Sequence, residues 1–277
     1  MTHPSILEKA RLFRALHEAP ELFVIPNPWD AGSARLLAAQ GFKALATSSF
    51  ASALASGCWD GALSRDEVIS HARAVVEACD LPVSADLEAG FGETPEDIAE
   101  TFRLAGEVGL VGGSIEDYTG DPSRPFYEIG EAVDRLSAAL DAARALPFPF
   151  TLTARAENFF RGNADLDDTI HRLQAYEEAG ADVLFAPGLP SLDAVKSVCS
   201  SVSKPVNFLA GLPGKNFSIE ELAAAGVRRI SLGGGLYKAA LSGFIAAVTE
   251  IQQQGTFGFS QTLPTGPEIR KWLGMGE

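Results

Sequence analysis

The chain has 277 residues, 46% of them hydrophobic and 21% charged, and 22 Lys and Arg against 36 Asp and Glu leave a formal charge of −14. A chain this long can bury roughly 75% of its unfolded surface, which excludes disorder and crosslink-dependent mini-protein scaffolds. The acidity and the lack of a Lys/Arg-rich run argue against nucleic acid or an anionic membrane as the main partner. Cys58, Cys79 and Cys199 are odd in number and lack C-x-x-C spacing, so they suit neither a disulfide framework nor a zinc site. Charges at Glu8, Lys9, Arg11, Arg14 and Glu18 interrupt the N-terminal segment, which therefore has no signal-peptide core and no membrane span. A cytoplasmic protein with reduced thiols is expected.

After an N-terminal helix over Ile6–Glu18, one theme repeats eight times: a short β-branched or aromatic run, a break, then an amphipathic helix pattern. In chain order the pairs are strand Phe23–Ile25 and helix Ala31–Gln40, Ala44–Thr47 and Arg65–Cys79, Val83–Asp86 and Pro95–Val108, and Gly113–Glu116 and Ile129–Ala145. There follow Phe150–Ala154 and Leu166–Ala179, Val183–Ala186 and Leu192–Val202, Val206–Leu209 and Ile219–Ala225, and Arg229–Leu232 and Tyr237–Gln254. Ser64 before Glu67 and Thr94 before Glu96 and Asp97 are helix-start signals. Gly41, Gly109, Gly180 and Gly226 each stand where a left-handed cap ends a helix. Eight alternations of this kind imply an α/β fold, a parallel (β/α)8 barrel of the TIM type. The competing doubly wound open sheet would carry a Gly-rich turn after its first strand, where this chain has Pro26-Asn27-Pro28-Trp29-Asp30. No polar linker divides the sequence, so residues 1–277 form one domain, with a C-terminal tail over residues 256–277. That tail carries Phe257, Phe259, Ile269, Trp272 and Leu273 and is expected to bury them against a neighbouring subunit.

In such a barrel the chemistry sits at the C-terminal ends of the strands. Strand 2 ends in Thr47-Ser48-Ser49 and its loop reaches Asp60. Strand 3 ends in Asp86-Leu87-Glu88, where a period of two aims both carboxylates to one side. Strand 4 ends in Glu116-Asp117, strand 5 in Arg155-Ala156-Glu157-Asn158, and strand 7 supplies Asn207. Asp60, Asp86, Glu88 and Glu116 at one mouth would repel, each pair at 4 Å costing about 4 kcal/mol at an effective dielectric near 20. All-oxygen donors without His or Cys favour a hard cation, and Mg²⁺ fits best because it keeps waters and uses one or two direct carboxylates. Arg155 would grip a substrate carboxylate in a two-pronged contact. Ser48, Ser49 and Phe50 would hold its other oxygens. The blander alternative, in which these acids cap loops or pair with Arg, stays open for each residue singly. His3, His17, His71 and His171 fall away from the expected chemistry and read as surface or packing residues. Gly233 to Gly235 read either as a phosphate cup or as a turn into the last helix.

The strings Pro28-Trp29-Asp30-Ala31, Gly41-Phe42-Lys43-Ala44, Asp86-Leu87-Glu88-Ala89-Gly90-Phe91-Gly92, Gly113-Ser114-Ile115-Glu116-Asp117 and Thr153-Ala154-Arg155 resemble the isocitrate lyase/phosphoenolpyruvate mutase superfamily, in its phosphonomutase-like branch. The resemblance implies a barrel whose eighth helix is swapped between subunits, in a homo-oligomer that is a dimer or a dimer of dimers. It implies Mg²⁺ and a small 2-oxo acid substrate, with a C–C or P–C bond made or broken through a pyruvate-type enolate. By motif, Asp86 resembles the direct metal ligand, and Asp60, Glu88 and Glu116 resemble ligands acting through water. Ser48, Ser49, Phe50 and Arg155 fall on the carboxylate-binding positions.

Departures from the family pattern bear on the substrate. Strand 3 of the family reads Asp-x-Asp-Thr-Gly-Tyr-Gly, so Glu88 and Ala89 differ. The lyase loop Lys-Lys-Cys-Gly-His is replaced by Tyr118-Thr119-Gly120-Asp121-Pro122-Ser123-Arg124, and the lysine and asparagine of the mutases are missing too. Tyr118, Asp121, Arg124, Tyr127 and Cys58 remain as proton-transfer candidates, with Arg155, Glu116 and Tyr118 forming the expected catalytic set. The leading expectation is a Mg²⁺-dependent lyase cleaving a C–C bond next to a 2-oxo or 2-hydroxy carboxylate. A phosphonopyruvate mutase or hydrolase and a non-catalytic 2-oxo-acid binder are the alternatives.

Overall fold

Short β-branched runs cannot bury themselves alone, and in the computed structural model, which describes residues 3–275, they close into one nearly complete parallel barrel. The strands are β1 (Phe23–Ile25), β2 (Leu45–Ala46), β3 (Val83–Asp86), β4 (Gly112–Glu116), β5 (Thr151–Arg155), β6 (Val183–Phe185), β7 (Val206–Leu209) and β8 (Arg229–Ser231). Hydrogen-bonded neighbours run in the order β1-β8-β7-β6-β5-β4-β3-β2. The two remaining edges meet where Ala46 N–H donates to the Pro26 carbonyl at 3.1 Å and Asn27 Nδ2 donates to the Thr47 carbonyl at 3.0 Å.

The (β/α)8 architecture read from the sequence is therefore observed. The helices are α1 (Ile6–Glu18), α2 (Ala31–Ala39), α3 (Ser49–Ala55), α4 (Arg65–Ala78), α5 (Pro95–Glu107), α6 (Ile129–Arg144), α7 (Leu166–Ala179), α8 (Leu192–Ser201), α9 (Ile219–Ala224), α10 (Gly235–Gln254) and α11 (Gly266–Trp272). Reciprocal caps start α4 between Ser64 and Glu67 and α5 between Thr94 and Asp97, each leaving fewer orphan N–H groups. Helix α3 and α11 were not legible as periodic patterns, because seven residues span barely two turns.

The outward faces of the strands pack on the helices through Leu87, Ile98, Phe102, Leu136, Leu152, Leu173 and Leu184, all at or below 2% exposure. Helix α1 lies at the opposite end from the expected mouth. Its Phe13 ring fits against Gly112, where any side chain would collide with it, and its His17 stands edge-on to Phe13 and Phe23. Helix α10 is different, since it buries no residue in this chain and leaves Leu241, Phe244, Ile245 and Ile251 exposed. Phe257, Ile269 and Trp272 of the tail are exposed as well. Among the described residues no helix is long and apolar enough to cross a membrane.

Candidate active site

A cavity of about 310 Å³ opens at the C-terminal ends of the strands. At roughly 30 Å³ per water that is about ten water volumes. Phe50, Trp59, Phe160 and Lys238 line its upper part, Asp60, Asp86, Arg155 and Arg161 line its side, and Ser84, Ser114, Asn207 and Arg229 lie on inward positions of the strands.

The acidic side begins at the end of β3. Asp86 Oδ2 accepts from Ser49 N–H at 3.3 Å, which ties the β2 loop to β3. Glu88 lies beyond the strand, at φ 48°, so the period of two no longer governs it. The reading that alternation aims Glu88 is corrected here: a left-handed turn, with Glu88 N–H on Asp86 Oδ1 at 3.4 Å, sets its direction. Such a backbone costs about 1 kcal/mol or more and gathers at functional sites. Burial first, then the charges of Asp86 and Asp60, push the Glu88 carboxyl up to about 7. Burial and Asp86 likewise raise Asp60, with Ser49 offsetting part of the effect.

Arg155, only 11% exposed in its side chain, stands among three acidic groups. Its guanidinium lies 3.1 Å from Glu116 Oε2 and 3.5 Å from Asp86 Oδ2, and its Nε donates to Glu157. Burial works against this charge, but Glu116, Glu157 and Asp86 outweigh burial and hold the Arg155 pKa above its ordinary value. Arg161 repeats the pattern one helical turn beyond Glu157, reaching Glu157 Oε2 at 2.9 Å and Glu116 Oε1 at 3.6 Å. Glu116 is 8% exposed and Glu157 0%, and burial pushes the Glu116 carboxyl well up against the pull of Arg155. Asp117 takes no part in the mouth: it accepts from Tyr176 Oη at 2.7 Å and Arg172 at 3.1 Å, locking α7 to β4.

The structure thus brings Asp60, Asp86, Glu88, Glu116 and Arg155 together, with two refinements. Glu116 is paired with guanidinium groups, Arg155 at 3.1 Å and Arg161 at 3.6 Å, as well as standing near fellow acids. The Ser48 hydroxyl caps α3 by accepting from Ala51 N–H at 3.4 Å, and Ser48, Ser49 and Phe50 all line the cavity. Asn207 lines the cavity, but its amide is engaged, donating to Ser231 Oγ at 2.9 Å and accepting from Arg229 Nε at 2.8 Å. Tyr118 lies under Arg161, whose guanidinium carbon is 3.7 Å from the ring centroid. Asp121 is occupied by Ser123 and Arg124 by Glu131. Tyr127 is buried under Arg135, and Cys58 is exposed.

His71 does not line the cavity but ties together loops beside it. Its Nε2 lies 2.9 Å from the Trp29 carbonyl and its Nδ1 3.2 Å from Ser52 Oγ, joining two loops behind the mouth. The Gly233 to Gly235 turn is no free phosphate cup, because Asn27 Oδ1 already accepts from Leu232 and Gly233 N–H at 2.8 and 2.9 Å. A side chain at Gly234 would run into the Phe50 ring. Arg161, Lys238 and Arg229 escaped the sequence reading. Glu157 and Arg161 do have i,i+4 spacing, and Arg229 shares the inward parity of Ser231.

Three features fit a divalent cation. Asp60 Oδ1 is buried with no hydrogen-bond partner, the donors are all oxygen, and five carboxylates here face only two paired guanidinium groups. Among the described residues no three Asp, Glu, His or Cys side chains converge closely enough to enclose an ion directly. A cation that keeps its own waters and takes one or two direct carboxylates suits such a site.

A family model for phosphoenolpyruvate phosphomutase matches residues 13–252. The chain is 54% identical to a Burkholderia cenocepacia J2315 protein whose crystal structure is described as that of a "putative lyase/mutase", with a TM-score of 0.94 and 97% of each chain covered. It is 30% identical over 210 residues to the 2-methylisocitrate lyase of Escherichia coli strain K12, covering 73% of this chain and 70% of that one. The crystal structure of a phosphonopyruvate hydrolase with oxalate and Mg²⁺ is similar with a TM-score of 0.85, covering 96% of this chain and 95% of that chain. At 23% identity this last likeness speaks for the fold.

Proposed function

We propose, given that this chain belongs to the phosphoenolpyruvate phosphomutase family within the isocitrate lyase/phosphoenolpyruvate mutase superfamily, that it is a Mg²⁺-dependent lyase cleaving a C–C bond next to a 2-oxo or 2-hydroxy carboxylate. The carrying observation is Arg155 poised 3.5 Å from Asp86, beside the orphaned oxygen of Asp60. Asp86 would hold the cation directly, and Asp60, Glu88 and Glu116 would hold its waters. Bound Mg²⁺ supplies Lewis-acid polarisation of the 2-oxo oxygen and stabilises the negative charge that develops there.

The protein's own part is binding and orientation. Arg155, aimed by Glu116 and Glu157 on either side, grips the carboxylate adjacent to the reacting carbon. Ser48, Ser49 and Phe50 at the start of α3 face the same anion, while Phe160 and Phe185 wall the cavity. Tyr118, its ring against Arg161, is our candidate for moving the proton. The bare apolar face of α10 and the exposed aromatic tail support an oligomer, a dimer or a dimer of dimers, in which a second subunit covers them. We place the protein in the cytoplasm.

Purified protein with Mg²⁺ and oxaloacetate, 2-methylisocitrate or phosphonopyruvate, followed for pyruvate and phosphate, tests this reading. Metal-dependent pyruvate from a C–C substrate without phosphate is expected. Phosphate from phosphonopyruvate would move the assignment to P–C chemistry, and binding without turnover of any of the three would make the protein a 2-oxo-acid binder.

A further inference from the structure

Barrels of this architecture are normally filled with layers of branched aliphatic side chains. Arg229 breaks that pattern. It opens β8, is 6% exposed, and lines the same cavity as Arg155. Its Nε donates to Asn207 Oδ1 at 2.8 Å, one terminal nitrogen donates to Thr153 Oγ1 at 3.1 Å, and the other lies 3.2 Å from His17 Nε2.

The protonation of His17 follows from its other contact. Nδ1 lies 2.8 Å from the Phe13 carbonyl, and a carbonyl only accepts, so the proton sits on Nδ1 and Nε2 is the bare acceptor for Arg229. All three partners of Arg229 are therefore neutral. Among the described residues no carboxylate pairs with it, whereas Arg155 touches Asp86, Glu116 and Glu157. A guanidinium carries five N–H donors, so these three contacts leave two unused. The hydroxyls of Ser84 and Ser114 line the cavity too and have no hydrogen-bond partner among the described residues.

We propose that this region is a second anion subsite, in which Arg229 receives the far carboxylate of a diacid whose 2-oxo end is held by Arg155. The proposal rests on the 2-oxo-acid reading above and names Arg229 as the residue that selects for a second carboxylate. A guanidinium with spare donors binds a carboxylate through charge-assisted, two-pronged hydrogen bonds. The cavity, at about 310 Å³, also has more room than a three-carbon monoacid fills.

The test titrates Mg²⁺-loaded protein calorimetrically with matched pairs in which a terminal methyl is replaced by carboxylate: 2-oxobutyrate with oxaloacetate, 2-oxovalerate with 2-oxoglutarate, and 2-oxohexanoate with 2-oxoadipate. At least one diacid should bind tenfold or more tightly than its partner. Arg229→Gln should reduce that ratio to about one while leaving the monoacid Kd within about threefold, and Arg229→Lys should restore part of it. Diacids no tighter than monoacids in the unmodified protein would overturn the subsite while leaving the 2-oxo-acid reading intact, and this holds even if the glutamine variant fails to fold. Failure of every monoacid and diacid to bind would instead strike the underlying reading. An unchanged ratio in a folded Arg229→Gln protein would reduce Arg229 to a pin for α1.

Discussion

Replacing His17 with glutamine should flatten the acid side of the protein's stability curve. Burial, and next the charge of Arg229, push the His17 imidazole from 6.5 down to about 3. Between those values the unfolded chain binds a proton that the folded protein refuses, so stability is full above pH 6.5 and falls as pH drops through this window. At roughly 1.4 kcal/mol per unit of pKa difference, the loss at pH 5 relative to pH 8 is about 2 kcal/mol, and it approaches about 5 kcal/mol near pH 3. Glutamine can still donate to the Phe13 carbonyl and accept from Arg229, but it does not titrate. Urea unfolding of both proteins at pH 8 and pH 5, at one fixed protein concentration, gives the difference directly. The unmodified protein should lose about 2 kcal/mol more than His17→Gln over that interval. In NMR spectra of labelled protein the His17 ring signals should not move between pH 8 and pH 5. Equal pH dependence in both proteins, or a His17 signal titrating near 6.5, would refute the claim that a neutral imidazole faces Arg229.

Other substitutions separate positioning from stability. Glu157→Gln removes the buried charge shared by Arg155 and Arg161; the denaturation midpoint should fall by an amount equivalent to about 2 kcal/mol, and KM for a 2-oxo acid should rise about tenfold with kcat changing less. Glu88→Gly should gain about 1 kcal/mol by relieving the left-handed backbone at φ 48°. The same change should weaken Mg²⁺ binding, so a higher Tm paired with lower metal affinity is the expected result, and unchanged metal affinity would remove Glu88 from the site.

The barrel was legible because its signals are local and repeated. Eight strand-and-helix units, four helix-ending glycines and two helix-start pairs agreed with one another, and Gly41, Gly109, Gly180 and Gly226 all adopt positive φ. The acidic mouth was legible because strand ends in this fold face one place. What the sequence could not show was how the charges are apportioned. Whether Glu116 serves a metal or an arginine depends on the distance to Arg155 and Arg161 across two strands, and nothing in the spacing of the residues encodes it. Arg229 was missed for a related reason: a charged residue at a strand start reads as a surface position until the strand's inward parity and the plug formed by α1 are known. The aim of Glu88 was reached by a wrong route, because a left-handed turn, invisible to a period-of-two count, places it beside Asp86.

Oxalate binding measured by calorimetry with and without Mg²⁺, in the unmodified protein and in Asp86→Asn, tests the metal-and-arginine pocket most directly. Tight binding of oxalate that requires Mg²⁺ and is lost in Asp86→Asn is the expected outcome. Oxalate that binds equally well without the metal, or equally well to the variant, would contradict it.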